Sequence, residues 1–158
     1  MFEKPTPQHQ WLDKLVGSWT FENTCDMGSD QPAMKASGTA VGHSLGGLWT
    51  IIETDCLPSD GGAWSSIMSL GYDPASGRYI GTFAVSMMSK MWHYDGSVDA
   101  TGKTLVLDTE GPKFDGSGMT KYQDLVEYVS DDHWILKSRI LLDDGTWRPF
   151  MESHHRRA

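Results

Sequence analysis

The hydrophobic pattern of the chain changes period once, close to residue 17. In "TPQHQWLDKLVG", Trp11, Leu12, Leu15 and Val16 fall at i, i+1, i+4 and i+5, a single apolar stripe that stops at Gly17. The spacing predicts one or two turns of helix over 8–16 and no other helix. From Trp19 onward the period is two. Trp19, Phe21, Asn23 and Cys25 share one face, and Thr20, Glu22 and Thr24 share the other, as a half-buried strand requires.

Nine more such runs follow, at about 35–44, 48–56, 63–72, 78–87, 90–98, 103–110, 119–129, 133–142 and 146–156. Turn chemistry separates them: "LGGL" at 45–48, "SDGGA" at 59–63, "DPASGR" at 73–78, "DATGK" at 99–103, "DGSG" at 115–118, "SDD" at 130–132 and "DDGT" at 143–146. Ten strands joined by hairpins form a meander. An open meander of that length leaves two unpaired edges, and its twist curls it further with each strand. Closure removes the edges, so the expected fold is all-β: a single antiparallel up-and-down β-barrel over 17–157, one end closed by the helix. A two-layer sandwich is the structural rival, but it calls for long crossing connections that these tight turns do not provide.

The chain has 158 residues, enough for one domain over 1–158 with a continuous core. Lys and Arg total 13 against 21 Asp and Glu, a formal charge of -8, which argues against nucleic acid and anionic membranes as partners. No apolar run is long enough to span a bilayer as a helix, and "MFEKPTPQHQ" has no signal-like apolar core, so the expected location is cytoplasmic. Cys25 and Cys56 are the only cysteines, and they lack the close spacing of a zinc or redox pair.

A short helix followed by Gly-x-Trp at the first strand, with a basic residue ending the last strand, resembles the calycin group of barrels: lipocalins, fatty-acid-binding proteins and their bacterial relatives. The resemblance implies that Trp19 plugs the closed end beside Gly17, with Arg157 or Arg156 packed over its face as a cation on an indole. More of the chain, in "PTPQHQWLDKLVGSW", "LGGLW", "LGYDPASGRYIGTF", "DGSVDATGKTLVL", "EGP" and "FMESHHRR", looks like an uncharacterised bacterial domain-of-unknown-function family of calycin-like barrels. Against that family pattern, Leu48 stands where an arginine is usual, Val85 where an aspartate is usual, and His155 near a usual tyrosine. The resemblance supplies a fold and no established reaction.

A closed barrel of this strand number leaves an interior cavity unless large side chains fill it, so inward residues are the candidate site. Counting parity from an inward Trp19 gives Trp49, Ile51 and Glu53 on the third strand, and Tyr79, Phe83 and Val85 on the fifth, if no bulge intervenes. The stretch "SMMSKMWHYD" adds Met87, Met88, Met91 and Trp92, whose unbranched thioethers and indole suit an adaptable wall for a small hydrophobic or aromatic ligand. The plainer reading of these methionines is irregular core filler, and a soft-metal site with His93 is a remoter one. The expectation is no metal.

His154 and His155 are adjacent on the last strand, so one faces inward. An inward His155 could ligate haem, as in the nitrobindin-type relatives of this barrel, or His155 or His43 could act with Glu53 as an acid–base pair; the plainer reading is a buried, hydrogen-bonded histidine. The sequence contains no nucleophile elbow, His-Glu-x-x-His or phosphate-cradling loop. The expected function is therefore binding of a small, largely hydrophobic molecule in the cavity. An enzyme using an inward His/Glu pair and a haem carrier are the alternatives, and homodimer pairing through an exposed strand is left open.

Overall fold

A computed structural model describes residues 1–28, 32–59 and 62–158. Thr6 caps a short helix, α1 (Pro7–Trp11), in a reciprocal capping box with His9, and Pro7 occupies the first turn. A 3-10 turn over Leu12–Leu15 carries the chain to Gly17. Ten strands follow: β1 (Gly17–Cys25), β2 (Met34–Leu45), β3 (Trp49–Cys56), β4 (Ser65–Asp73), β5 (Arg78–Val85), β6 (Trp92–Val98), β7 (Thr104–Pro112), β8 (Met119–Ser130), β9 (His133–Leu141) and β10 (Trp147–Arg157). Each pairs antiparallel with the next, and β1 pairs with β10, so the sheet closes into a barrel. The expectation of a closed ten-strand meander with one short helix holds.

Cross-strand register defines the inner face. Trp19 pairs with Ala40, and Ala40 with Thr54, so on β3 the even positions point inward. Thr50, Ile52 and Cys56 are accordingly buried. Trp49, Ile51 and Glu53, expected inward, lie on the outer face instead, opposite Leu45, His43 and Val41. The reason is the β2–β3 connection: three residues, Gly46–Leu48, join Leu45 to Trp49 as an outward pair, and the Trp49 indole lies over Gly71 on the outside. On β5 the expected inward set, Tyr79, Phe83 and Val85, does share the inner face, since Tyr79 pairs with inward Tyr72.

The stretch read as one strand through residue 87 ends at Val85, and 86–91 forms a connection before β6. A register shift between Pro149 and Met151 marks a bulge in β10, tolerated where proline interrupts the ladder.

Packing divides the barrel along its axis. At the helix end Leu12, Leu15, Trp19, Ile52, Leu70, Leu105, Leu107, Val126 and Trp134 form a solid core. The helical segment lies across this end: the Tyr79 hydroxyl donates to the Gln8 carbonyl at 3.0 Å, and the Trp11 indole N–H to the Gly102 carbonyl at 2.9 Å. Gly42 permits the approach, because a Cβ there would stand 2.0 Å from the Leu15 carbonyl oxygen. That neighbour is backbone and has little room to yield. Gly42→Ala is expected to cost about 1–3 kcal/mol, the range for overpacking, in chemical denaturation.

Candidate functional site

Trp19 seals the lower end. Its indole N–H donates to the Leu15 carbonyl at 3.0 Å, and its ring meets Trp134 edge to face with centroids 6.2 Å apart. The Arg157 guanidinium lies 4.2 Å from the Trp19 ring centroid. It also donates to the Asp131 carbonyl through Nε at 3.0 Å and Nη2 at 2.6 Å, and to the Val16 carbonyl through Nη1 at 3.2 Å. A cation on the indole thus ties the β8–β9 turn to the end of the 3-10 turn. Gly17 adopts φ 134°, and a Cβ there would meet the guanidinium at 2.3 Å. Arg157, not Arg156, is the packing partner.

One level up, His155 is buried with its ring stacked on Trp134, centroids 3.7 Å apart and planes within 5°, and tilted against Phe21 at 5.8 Å. Its Nδ1 has no hydrogen-bond partner among the described residues. Burial pulls its pKa down to about 3, so the ring is neutral at physiological pH. His154 points outward, its Nδ1 2.9 Å from His133 Nε2 and its Nε2 2.7 Å from Glu152.

Above this level the barrel is hollow. A cavity of about 980 Å³ opens at the end opposite the helix. Its walls are largely apolar and aromatic: Trp64, Phe83, Val85, Trp92, Tyr122, Leu136 and Phe150. Phe150 reaches it because the β10 bulge turns this residue inward, where it packs edge to face on Phe114 at 5.1 Å and Tyr122 at 5.9 Å. Trp92 lies across Gly111, where a Cβ would fall 2.1 Å from the ring. Met27, Met34, Met87, Met88 and Phe114 stand at the mouth with exposed surface.

The polar groups are few. Asp124, on the inner face of β8, lines the cavity where it meets the core. One of its oxygens accepts from the Tyr94 hydroxyl and the other from the Ser138 hydroxyl, the latter at 2.5 Å. Its remaining surface faces the cavity, and desolvation raises its pKa while the two hydroxyls pull it back. Burial, followed by the Asp124 charge and hydrogen bond, holds the Tyr94 phenol protonated well above its ordinary range. Thr109, a further lining residue, is 8% exposed, and its hydroxyl has no partner among the described residues. Asn23 donates to the Met151 sulfur at 3.0 Å.

The family model of DUF1579, described as a protein of unknown function, matches residues 4–157. The chain belongs to this family. No curated protein matches it. Among solved structures, the DUF1579 barrel is similar to Rv2717c from M. tuberculosis, at TM-score 0.67 and 15% identity over 98% of this chain and 99% of that one. That likeness is one of fold. Two redesigned β barrels also match: b11L5F_LGL at TM-score 0.49 and 14% identity over 92% and 93% of the two chains, and mFAP1, bound to DFHBI, at TM-score 0.41 and 16% over 96% and 100%.

Of the residues singled out from the sequence, the DUF1579 barrel brings Phe83, Val85, Met87, Met88 and Trp92 to the cavity. Met91 is exposed and Trp49, Ile51 and Glu53 are on the outer wall, none of them at the cavity. His43 is also outside, opposite Ile51, so neither it nor His155 forms an acid–base pair with Glu53 in the interior. Both ring faces of His155 are covered, by Trp134 and Phe21, and His154 is turned outward. His93, on the outer face of β6, does not join the mouth methionines, and among the described residues no three His, Cys, Asp or Glu side chains converge on a metal position. Sequence reading missed Asp124, although "YQDLVEY" places it in the alternating set Tyr122, Asp124, Val126 and Tyr128, otherwise apolar or aromatic.

Proposed function

We propose that this barrel binds a small, largely hydrophobic molecule in its cavity. The observation that carries the reading is the cavity of about 980 Å³, aromatic-walled and open at one end. That is near the upper end of the range of about 300–1,000 Å³ for small-molecule sites, which are mostly apolar with a few placed polar groups. An apolar hollow of this size also forgoes dispersion contacts that a ligand would supply. The mouth methionines add surfaces that re-pack around ligands of different outline.

The test is titration with Nile red, a neutral dye that brightens in apolar surroundings, against the protein and Ala36→Trp. Ala36, on β2, is half-buried and lines the cavity, so an indole is placed there to occupy the hollow. The expected result is saturable brightening that falls at least about tenfold in affinity in the variant, with an unchanged unfolding midpoint. Equal binding by both proteins, or no saturable binding, would overturn the reading.

A further inference from the structure

Resting on that reading of the cavity, we infer that the polar group it receives is a cation: the ligand is a hydrophobic amine whose ammonium meets the Asp124 carboxylate.

The geometry begins with lone pairs. A carboxylate has about four acceptor positions, and Tyr94 and Ser138 each use one, on different oxygens. The two hydroxyls fix the orientation of the carboxyl and leave acceptor capacity directed at the cavity that Asp124 lines. Neither hydroxyl carries charge. Among the described residues no lysine, arginine or histidine pairs with Asp124, whereas Lys113 at the mouth is already paired with Asp143 at 2.7 Å. A desolvated carboxylate without a counter-ion is costly, and a protonated amine supplies the missing charge and N–H donors together.

Two surrounding features select the same chemistry. Tyr122, on the same face of β8 as Asp124, lines the same cavity, and the π-face of an aromatic ring attracts a cation. The net charge of -8 concentrates cations and repels anions around the whole molecule. An acid could only reverse its orientation, with its carboxylate at Lys35 and Lys113 of the mouth and its apolar end against Asp124, leaving that carboxyl uncompensated.

Three probes of one shape separate the cases: naphthylmethylamine, naphthylmethanol and naphthylacetate, titrated calorimetrically into the protein and into Asp124→Asn. The amine is expected to bind at least about tenfold more tightly than the alcohol and the acid. In Asp124→Asn, which keeps hydrogen-bonding atoms for Tyr94 and Ser138, that preference disappears while alcohol binding is retained. The ranking in the unaltered protein stands by itself should the variant fold poorly. Equal binding of amine and alcohol, preference for the acid, or a preference that survives in Asp124→Asn overturns the inference and leaves the cavity reading intact. Binding of none of the three, together with failure of Nile red, removes both.

Discussion

Replacing Trp19 with alanine is expected to lower the unfolding free energy by about 3–5 kcal/mol, the range for deleting a buried large aromatic. The indole is 1% exposed, and it joins three parts of the closed end. Its N–H satisfies the Leu15 carbonyl, its edge packs on Trp134, and its face lies under the Arg157 guanidinium. Truncation leaves a void that the surrounding strands cannot collapse into without breaking the β1–β10 pairing, where Trp19 and Arg157 are themselves partners. It also strips the guanidinium of the surface it lies on and leaves the Leu15 carbonyl without its donor. Urea denaturation followed by near-ultraviolet circular dichroism measures the loss. A decrease below about 1 kcal/mol, the level of an ordinary surface change, would show that Trp19 does not seal the barrel.

The second large effect is a pH dependence set by His155. Its pKa in the folded protein is about 3, because burial between Phe21 and Trp134 penalises the charged ring, whereas an unfolded histidine titrates near about 6.5. Between those values the unfolded chain takes up a proton that the folded chain refuses, so acid draws the equilibrium toward unfolding. The stability associated with a neutral His155 is complete above the unfolded pKa and is lost progressively as pH falls toward the folded one. The slope from this group approaches about 1.4 kcal/mol per pH unit within the window. His155→Phe preserves an aromatic ring against Trp134 and removes the proton site. The difference in unfolding free energy between the two proteins, measured from pH 7 down to pH 4.5, should therefore shift in favour of the variant as the solution is acidified. A constant difference over that range would mean that His155 is charged or solvated in the folded state.

Those two residues show what could be read from sequence. The glycine-punctuated runs of period two, the helix stop at Gly17 and the Gly-x-Trp step led to a closed barrel because each depends on local geometry: turn dihedrals, alternation and a close backbone approach. Register across strands was harder. On β3, Ile51 and Ile52 are both apolar, so the pattern itself does not say which faces in, and the Gly46–Leu48 connection decides it. Trp49 is large and apolar yet serves as an outer cover for Gly71. Residues 86–87 and 90–91 read as strand ends because Met87 and Met91 are apolar, but Met87 stands at the mouth of a cavity, where an apolar side chain needs no ladder.

The site was partly hidden for the same reason. Phe150 has the wrong parity for an inward residue, and only the β10 bulge admits it. Asp124 has the right parity, and a carboxyl in an alternating inward set is a signal that attention to histidines and to Glu53 passed over. Its partners Tyr94 and Ser138 come from β6 and β9, and no spacing in the chain announces that they meet.

The seam between the first and last strands also constrains how the molecule is made. Trp19 and Arg157 stand at one end of that ladder and Cys25 and Met151 at the other, so no part of it can zip up from contacts local in sequence. While a ribosome is still extruding the chain, β1 waits without its mate and each newly emerged strand forms a raw margin able to recruit another polypeptide. Circularisation therefore waits until β10 has emerged, and the interval before it leaves unpaired strand edges open to aggregation.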